Sequence, residues 1–184
     1  LEKRFEEQLS FLQDNPLVGV LGTKAILIKK NGKLVNNSFN LSDSGYIDWL
    51  MHFENQFFHS SIMIRKSVLT KNKLKYGMSI NHEEKKCYLD KSYECEDFLF
   101  WIILSNYVSI CNLDKHLIKH RVHSESKSAK NKKALNHCFL KSCATKMSLT
   151  LKRSVDVAEI KNLFFYSKLN SEEQLKNINF LEEL

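Results

Sequence analysis

A chain of 184 residues with 43% hydrophobic and 11% aromatic content is long enough for one domain with its own core, which sets disorder aside for most of its length. Only 5 Gly and 1 Pro exclude collagenous and Gly-rich low-complexity segments, and no internal repeat is visible. The formal charge of +7, from 28 Lys and Arg against 21 Asp and Glu, suits a polyanionic partner (nucleic acid, nucleotide phosphate or anionic lipid) without choosing among them.

In chain order, Leu1, Phe5, Leu9 and Leu12 recur at helical spacing among charged residues, and Asn15-Pro16 supplies a stop, which predicts an amphipathic helix over about 2–14. Leu1 to Phe5 offers neither an initiator Met nor the apolar core of a signal peptide, so the chain is expected to begin inside a longer polypeptide. Leu17 to Leu21 reads as a buried strand. Ala25-Ile26-Leu27-Ile28 and Lys33-Leu34-Val35 flank Asn31-Gly32, a hairpin signal because both turn residues accept positive φ. Ser42 or Asp43 can cap a helix carrying Tyr46, Ile47, Leu50 and Met51. Ser60 to Ile64 is a short buried strand, and Lys66 to Leu74 a short helix. Helix over Glu94 to Ser105, strands over Val108 to Asn112 and Leu117 to Val122, and helix from about 131 complete the order. Ser171 and Gln174 form a capping box for a last helix striped by Leu175, Ile178 and Leu181. Strands alternating with helices predict an α/β domain with a helical tail.

Five cysteines, Cys87, Cys95, Cys111, Cys138 and Cys143, have no C-x-x-C pair and an odd count, which predicts reduced thiols in a cytosolic protein. The longest apolar run, Phe98 to Leu104, is far short of the roughly 20 residues that span a bilayer. The densest basic stretch holds Lys115, Lys119, Arg121, Lys127, Lys130, Lys132 and Lys133, and reads either as a solvated face or as an anion-facing surface.

Several residues could carry chemistry. Glu96-Asp97 opens an otherwise apolar helix; the two acids either complement the helix dipole or place one carboxylate at a cleft mouth as a general base. His116, His120 and His123 would share a face as a helix, suggesting zinc. As a strand, which the apolar alternation favours, His120 faces away from Arg121 and His123. His59-Ser60-Ser61 is no nucleophile-base pair, because adjacent strand residues point to opposite faces and no G-x-S-x-G elbow accompanies them. Gly19 and Gly22 lack dinucleotide-fingerprint spacing and fit a strand bend.

Taken together and in order, four segments resemble the second half of a family 2 glycosyltransferase of the A-type fold. Glu6-Glu7-Gln8-Leu9-Ser10-Phe11-Leu12 with Asn15-Pro16, Val18-Gly19-Val20, Gly22 and Thr23 resembles the helix and strand after that family's metal-binding acidic motif. His59-Ser60-Ser61-Ile62-Met63-Ile64-Arg65 resembles its acceptor-side strand. Glu96-Asp97-Phe98-x-x-Trp101 resembles its acidic helix, and His120-Arg121-Val122-His123, with Ser126 and Ser128 trailing, its Tyr-Arg-x-His segment. Phe98 stands where Tyr is common, and His120 where Tyr or Phe is.

The resemblance implies a partial nucleotide-diphospho-sugar transferase fold with a mixed sheet over 1–130, the acceptor-side half of a catalytic domain, followed by a helical extension over 131–184. It implies that Asp97 is the base of an inverting transfer, with Glu96 beside it on the acceptor. It makes His123 a ligand of a divalent metal, Mg or Mn, that neutralises the nucleotide diphosphate, and puts Arg121 near those phosphates or holding the loop. The implied partners are a nucleotide-sugar donor and a glycan acceptor in surface polysaccharide or lipopolysaccharide synthesis. The implied location is the cytoplasm at the inner face of the membrane, with the basic helical tail in peripheral contact. No Asp-x-Asp occurs in the chain. The nucleotide-binding half is thus expected to be elsewhere, this chain alone is expected to transfer little sugar, and its uncovered surfaces leave a homo-oligomer open. Two other classes stay in view: a non-catalytic interaction domain, and a basic nucleic-acid-binding module. The second lacks any helix-turn-helix, zinc-finger or RNA-binding aromatic motif, so no nucleic-acid partner is expected.

Overall fold

The computed structural model of the protein describes residues 2–38, 40–81, 86–89, 95–123, 126 and 132–164. The order is α1 (Arg4–Asp14), β1 (Val18–Ile28), β2 (Leu34–Asn37), α2 (Ser44–Leu50), a 3-10 turn (His59–Ser61), β3 (Met63–Ile64), α3 (Lys66–Lys71), β4 (Met78–Asn81), β5 (Lys86–Leu89), α4 (Glu96–Ser105), β6 (Ser109–Arg121), α5 (Lys132–Leu151) and α6 (Val157–Phe164). This is an α/β fold with a mixed sheet. The capping box at Ser171 and the stripe beyond it lie outside the described residues. Among those residues, no helix is long and apolar enough to cross a membrane.

β1 is the centre of the sheet. On one side it runs parallel to β6, from Val18 opposite Ser109 to Ile28 opposite Arg121. On the other side it pairs antiparallel with β3 at Val20–Ile64 and Leu21–Met63, then with β2 at Ile26–Asn37 and Leu27–Asn36. β4 and β5 form a separate antiparallel pair. Two strands expected over 108–112 and 117–122 are therefore one strand. The pairing shifts register around Thr23, Lys24 and Ala25, where Leu113, His116 and Ile118 are the successive partners. The extra residues near Asp114 bulge out of the ladder without ending it, and Asp114 there ion-pairs with Lys24. The β1–β2 turn is built on Gly32 alone: it has φ +83°, and its N–H donates to the Lys29 carbonyl at 2.9 Å. Asn31 keeps a negative φ and its side chain accepts from the Lys33 N–H at 3.1 Å, so the loop is one residue longer than a two-residue primed turn.

Close approach explains both strand glycines. A Cβ on Gly19 would collide with Val108, and one on Gly22 with Asn112 and Phe57. The core beneath is dominated by α4, in which every residue from Phe98 to Leu104 is buried. A helix apolar on all sides has no solvent face to offer, so it sits between the sheet and α5.

The expected face of α1 is corrected. Phe5 and Leu9 are exposed, and the buried positions are Gln8 and Leu12. Polar bonds turn the helix: Gln8 Nε2 donates to the carbonyls of Leu21 at 3.0 Å and Ser61 at 2.8 Å. Arg65 Nε donates to the Val18 carbonyl at 2.7 Å, and its Nη2 reaches the carbonyls of Leu12 and Asn15. Backbone acceptors that would otherwise be buried unpaired thus outweigh the burial of two apolar side chains.

Asp43 caps α2, accepting from the Tyr46 N–H at 3.1 Å. α2 and the turn that follows it are tied to α5 by two polar contacts. Lys146 Nζ, with its side chain 7% exposed, meets Asp48 at 2.6 Å. His52 contacts the Trp49 carbonyl through Nδ1 at 2.7 Å and the Thr150 hydroxyl through Nε2 at 2.8 Å. A carbonyl only accepts, so Nδ1 carries the proton and, in the neutral ring, Nε2 accepts from Thr150.

Two outcomes follow from this packing. Gly22→Ala should lower the unfolding free energy by about 1–3 kcal/mol in urea titrations, because the added methyl must displace Phe57 or Asn112. Burial pushes the His52 pKa below its usual 6.5, with the Trp49 carbonyl opposing, Lys146 adding to the fall and Asp48 opposing. Above that value the folded and unfolded rings are both neutral and the contribution is fully present; it is lost as pH falls through the folded value. The melting temperature should therefore drop more between about pH 7.5 and about pH 5.5 for the wild type than for His52→Gln.

Candidate active site

α4 starts at Glu96, so Glu96 and Asp97 occupy its first turn, as the sequence predicts. The turn is anchored from below by seven consecutive buried residues. Both acids are half-buried. Asp97 Oδ1 accepts from the Phe98 N–H at 2.7 Å. Burial raises the Asp97 carboxyl above its usual value; the Phe98 N–H and His59 act in the other direction, and Glu96 raises it further. This carboxylate is consequently more proton-hungry than an ordinary surface aspartate, the property a general base needs when it is ionised.

Residues at positions i, i+3 and i+4 of a helix share a face, so Asp97, Phe100 and Trp101 form one wall. Tyr76 packs on it, with ring centroids 5.4 Å from Phe100 and 6.5 Å from Trp101. His59, from the 3-10 turn, lies 5.9 Å from the Trp101 ring and 5.4 Å from that of Tyr76. Tyr76 Oη and His59 Nδ1 are 3.5 Å apart. The Tyr76 phenol is pushed up by burial and then by Glu96 and Asp97, so it stays protonated and able to donate. Both rims are open: His59 is exposed and Tyr76 is 44% exposed. Trp101 is 1% exposed, and its Nε1–H has no hydrogen-bond partner among the described residues.

The other two candidate residues lie at the far end of β6. Arg121 Nη1 donates to the carbonyls of Lys29 and Lys30, clamping the β1–β2 turn. The Val122 N–H donates to the Ile28 carbonyl at 2.8 Å, and half-buried His123 follows, its carbonyl accepting from the Ser126 N–H at 3.3 Å. Among the described residues no hydrogen bond or ion pair joins Arg121 or His123 to Asp97. The end of β6 nevertheless reaches the turn that carries His59, because the His120 ring packs at 5.1 Å on Phe58. No group of three His, Cys, Asp or Glu side chains that could hold a metal occurs among the described residues. Among the described residues His123 therefore belongs to no three-donor cluster.

The structure brings together Glu96, Asp97, His59, Tyr76 and Trp101; of these, His59 and Tyr76 have no site role on sequence grounds. On sequence grounds His59 directly precedes a strand over Ser60 to Ile64, where adjacent side chains point to opposite faces and do not converge. The 3-10 turn over His59–Ser61 removes that alternation and turns the imidazole toward α4. Tyr76 lies in the link between α3 and β4, where no periodicity marks it. Its one local signal is Gly77, whose φ of +82° allows the turn that follows.

Comparison of the sequence with models of known protein families and with curated proteins finds no match.

Proposed function

We propose that this chain is the acceptor-side half of a family 2 glycosyltransferase of the A-type fold, with Asp97 as the base of an inverting sugar transfer. The observation that carries the reading is the Asp97 carboxylate, half-desolvated on a rigid buried helix and faced by the exposed groups His59 and Tyr76. Such a carboxylate accepts the proton of an acceptor hydroxyl as that oxygen attacks the anomeric carbon. The bond from that carbon to the diphosphate oxygen breaks with inversion, and the nucleoside diphosphate leaves with the bonding pair. Glu96, next in the same turn, is placed to hold the acceptor, and its charge makes Asp97 more basic.

The donor is a nucleotide sugar and the acceptor a glycan hydroxyl, in surface polysaccharide or lipopolysaccharide synthesis at the cytoplasmic side of a membrane. His123 and Arg121 belong to the diphosphate side in this reading, His123 toward a divalent metal whose role when bound is to neutralise the leaving group. The remaining donors for that metal come from the nucleotide-binding half.

A second reading, an interaction domain without catalysis, draws support from a different place. Beside α2 a groove of about 700 Å³ is lined by Leu41, Asp43, Gly45, Tyr46, Trp49 and Leu50, with Tyr46 and Trp49 exposed. One variant separates the two. In the full-length enzyme Asp97→Asn should lower kcat for sugar transfer by about 10²-fold or more, followed as nucleoside diphosphate release, with donor KM little changed. Undiminished transfer would leave the interaction-domain reading in its place.

A further inference from the structure

The tip of the β1–β2 hairpin combines uncompensated charge with uncovered apolar side chains. Every residue from Lys29 to Asn37 is exposed, and this stretch holds Lys29, Lys30 and Lys33 without an Asp or Glu. The end of β6 stands beside it: Ile26 pairs with Lys119, and Ile28 with both Arg121 and Leu34. Strand residues two apart share a face, as do residues paired across strands, so Lys119 and Leu34 lie on one side of the sheet. Lower on the same ladder the cations are neutralised, Lys24 by Asp114 and Lys115 by Glu7. Among the described residues no carboxylate pairs with Lys29, Lys30, Lys33 or Lys119. Aliphatic side chains are uncovered in the same place, with Leu34 60%, Val35 49% and Val122 50% exposed.

We propose that the hairpin tip is a docking surface for an anionic lipid bilayer, with Leu34 and Val35 entering the boundary between headgroups and acyl chains and the lysines meeting lipid phosphates. The lysines alone would suit any polyanion. The aliphatic side chains decide the matter. A nucleic-acid backbone gives Leu34 and Val35 nothing apolar to enter, whereas a bilayer takes both and leaves the ammonium groups, on their flexible stems, at the level of the phosphates. Several lysines are needed because each contributes modestly to such an attraction. The tip is also held in shape before docking. Arg121 braces it through the Lys29 and Lys30 carbonyls, the Lys29 N–H donates to the Lys33 carbonyl at 2.8 Å, and the Val122 N–H to the Ile28 carbonyl at 2.8 Å. A surface ordered in advance loses little conformational freedom on binding. The inference goes beyond the sugar-transfer reading and does not use it, since Glu96 and Asp97 of α4 contribute no group to this patch.

The test is co-sedimentation of this chain with phosphatidylcholine vesicles that contain or lack phosphatidylglycerol, at low and high salt. The chain should pellet with the anionic vesicles, and the bound fraction should fall as salt rises. Lys29→Gln, Lys30→Gln and Lys33→Gln combined should lower the partition coefficient by about 10²-fold, at roughly fivefold for each lysine. Leu34→Ser with Val35→Ser should lower it by about tenfold, and should do so at high salt as well. Each altered side chain is exposed, and thermal melts check that the fold is kept. Lys119→Gln, outside the hairpin, should cost roughly fivefold by itself. Equal binding to the neutral vesicles, or anionic binding that ignores either the lysine set or the aliphatic pair, overturns the inference. A chain that retards duplex DNA in a gel yet stays off the anionic vesicles overturns it too, in favour of nucleic acid. Sugar transfer enters none of these measurements, so their failure leaves the role of Asp97 untouched.

Discussion

The parallel ladder between β1 and β6 is the constraint on which the other elements depend. It runs the whole length of β1, from Val18 to Ile28, and every other contact of the sheet is hung on one of its two strands. A slip of one residue would exchange the faces of one strand relative to the other and break the match by which Val20, Leu21, Ile110 and Cys111 share one core. The glycines of β1 enforce the register from inside. Val108 closes over Gly19 and Asn112 over Gly22, so a neighbour with a Cβ at either point would not let the chains meet. Asn112 then ties the ladder outward, its Nδ2 donating to the carbonyls of Leu41 at 2.9 Å and Gln56 at 3.0 Å.

That ladder also sets where the acidic turn stands. α4 leads straight into β6 through Asn106 to Val108, so the position of β6 fixes the lower end of the helix, and the helix projects Asp97 at its upper end. β3, on the opposite edge of β1, fixes the 3-10 turn just before it. The helix that carries the acid and the turn that carries the imidazole come together at Trp101 because a single central strand holds both segments. A rigid apolar helix with an ionisable group at its tip places charge accurately at the cost of desolvating it.

Much of this was legible in the sequence, and the failures have identifiable causes. α4, the Asp43 cap and the hairpin at Gly32 each rest on a local signal: an unbroken apolar run, a side-chain acceptor before a helix, and a residue free to take positive φ. The face of α1 was not legible, because Gln8 and Arg65 find buried backbone carbonyls only after β1 and the 3-10 turn are in place, and no periodicity records such a bond. The fusion of two predicted strands into β6 was hidden by Asp114 and Lys115, polar residues that look like a break and are a bulge. The site divides in the same way. Glu96 and Asp97 are adjacent and announce themselves, whereas His59, Tyr76 and Trp101 lie far apart in the chain, and their rings meet only through tertiary packing.

The separation of β1 from β6 along the chain bears on how the protein is made. β1 leaves the ribosome well before β6, and this parallel partner cannot join it until Arg121 has followed. At synthesis rates of about 5–20 residues per second the wait is on the order of ten seconds. For that interval the long hydrogen-bonding edge of β1, beside the apolar run Val18-Gly19-Val20-Leu21, has only β2, β3 and α1 for cover. Closing so large a loop is slow even when the whole chain is present. The nascent polypeptide is thus most vulnerable to misassociation in the interval between β1 and β6, and a holdase chaperone that masks this one edge would protect it until β6 arrives.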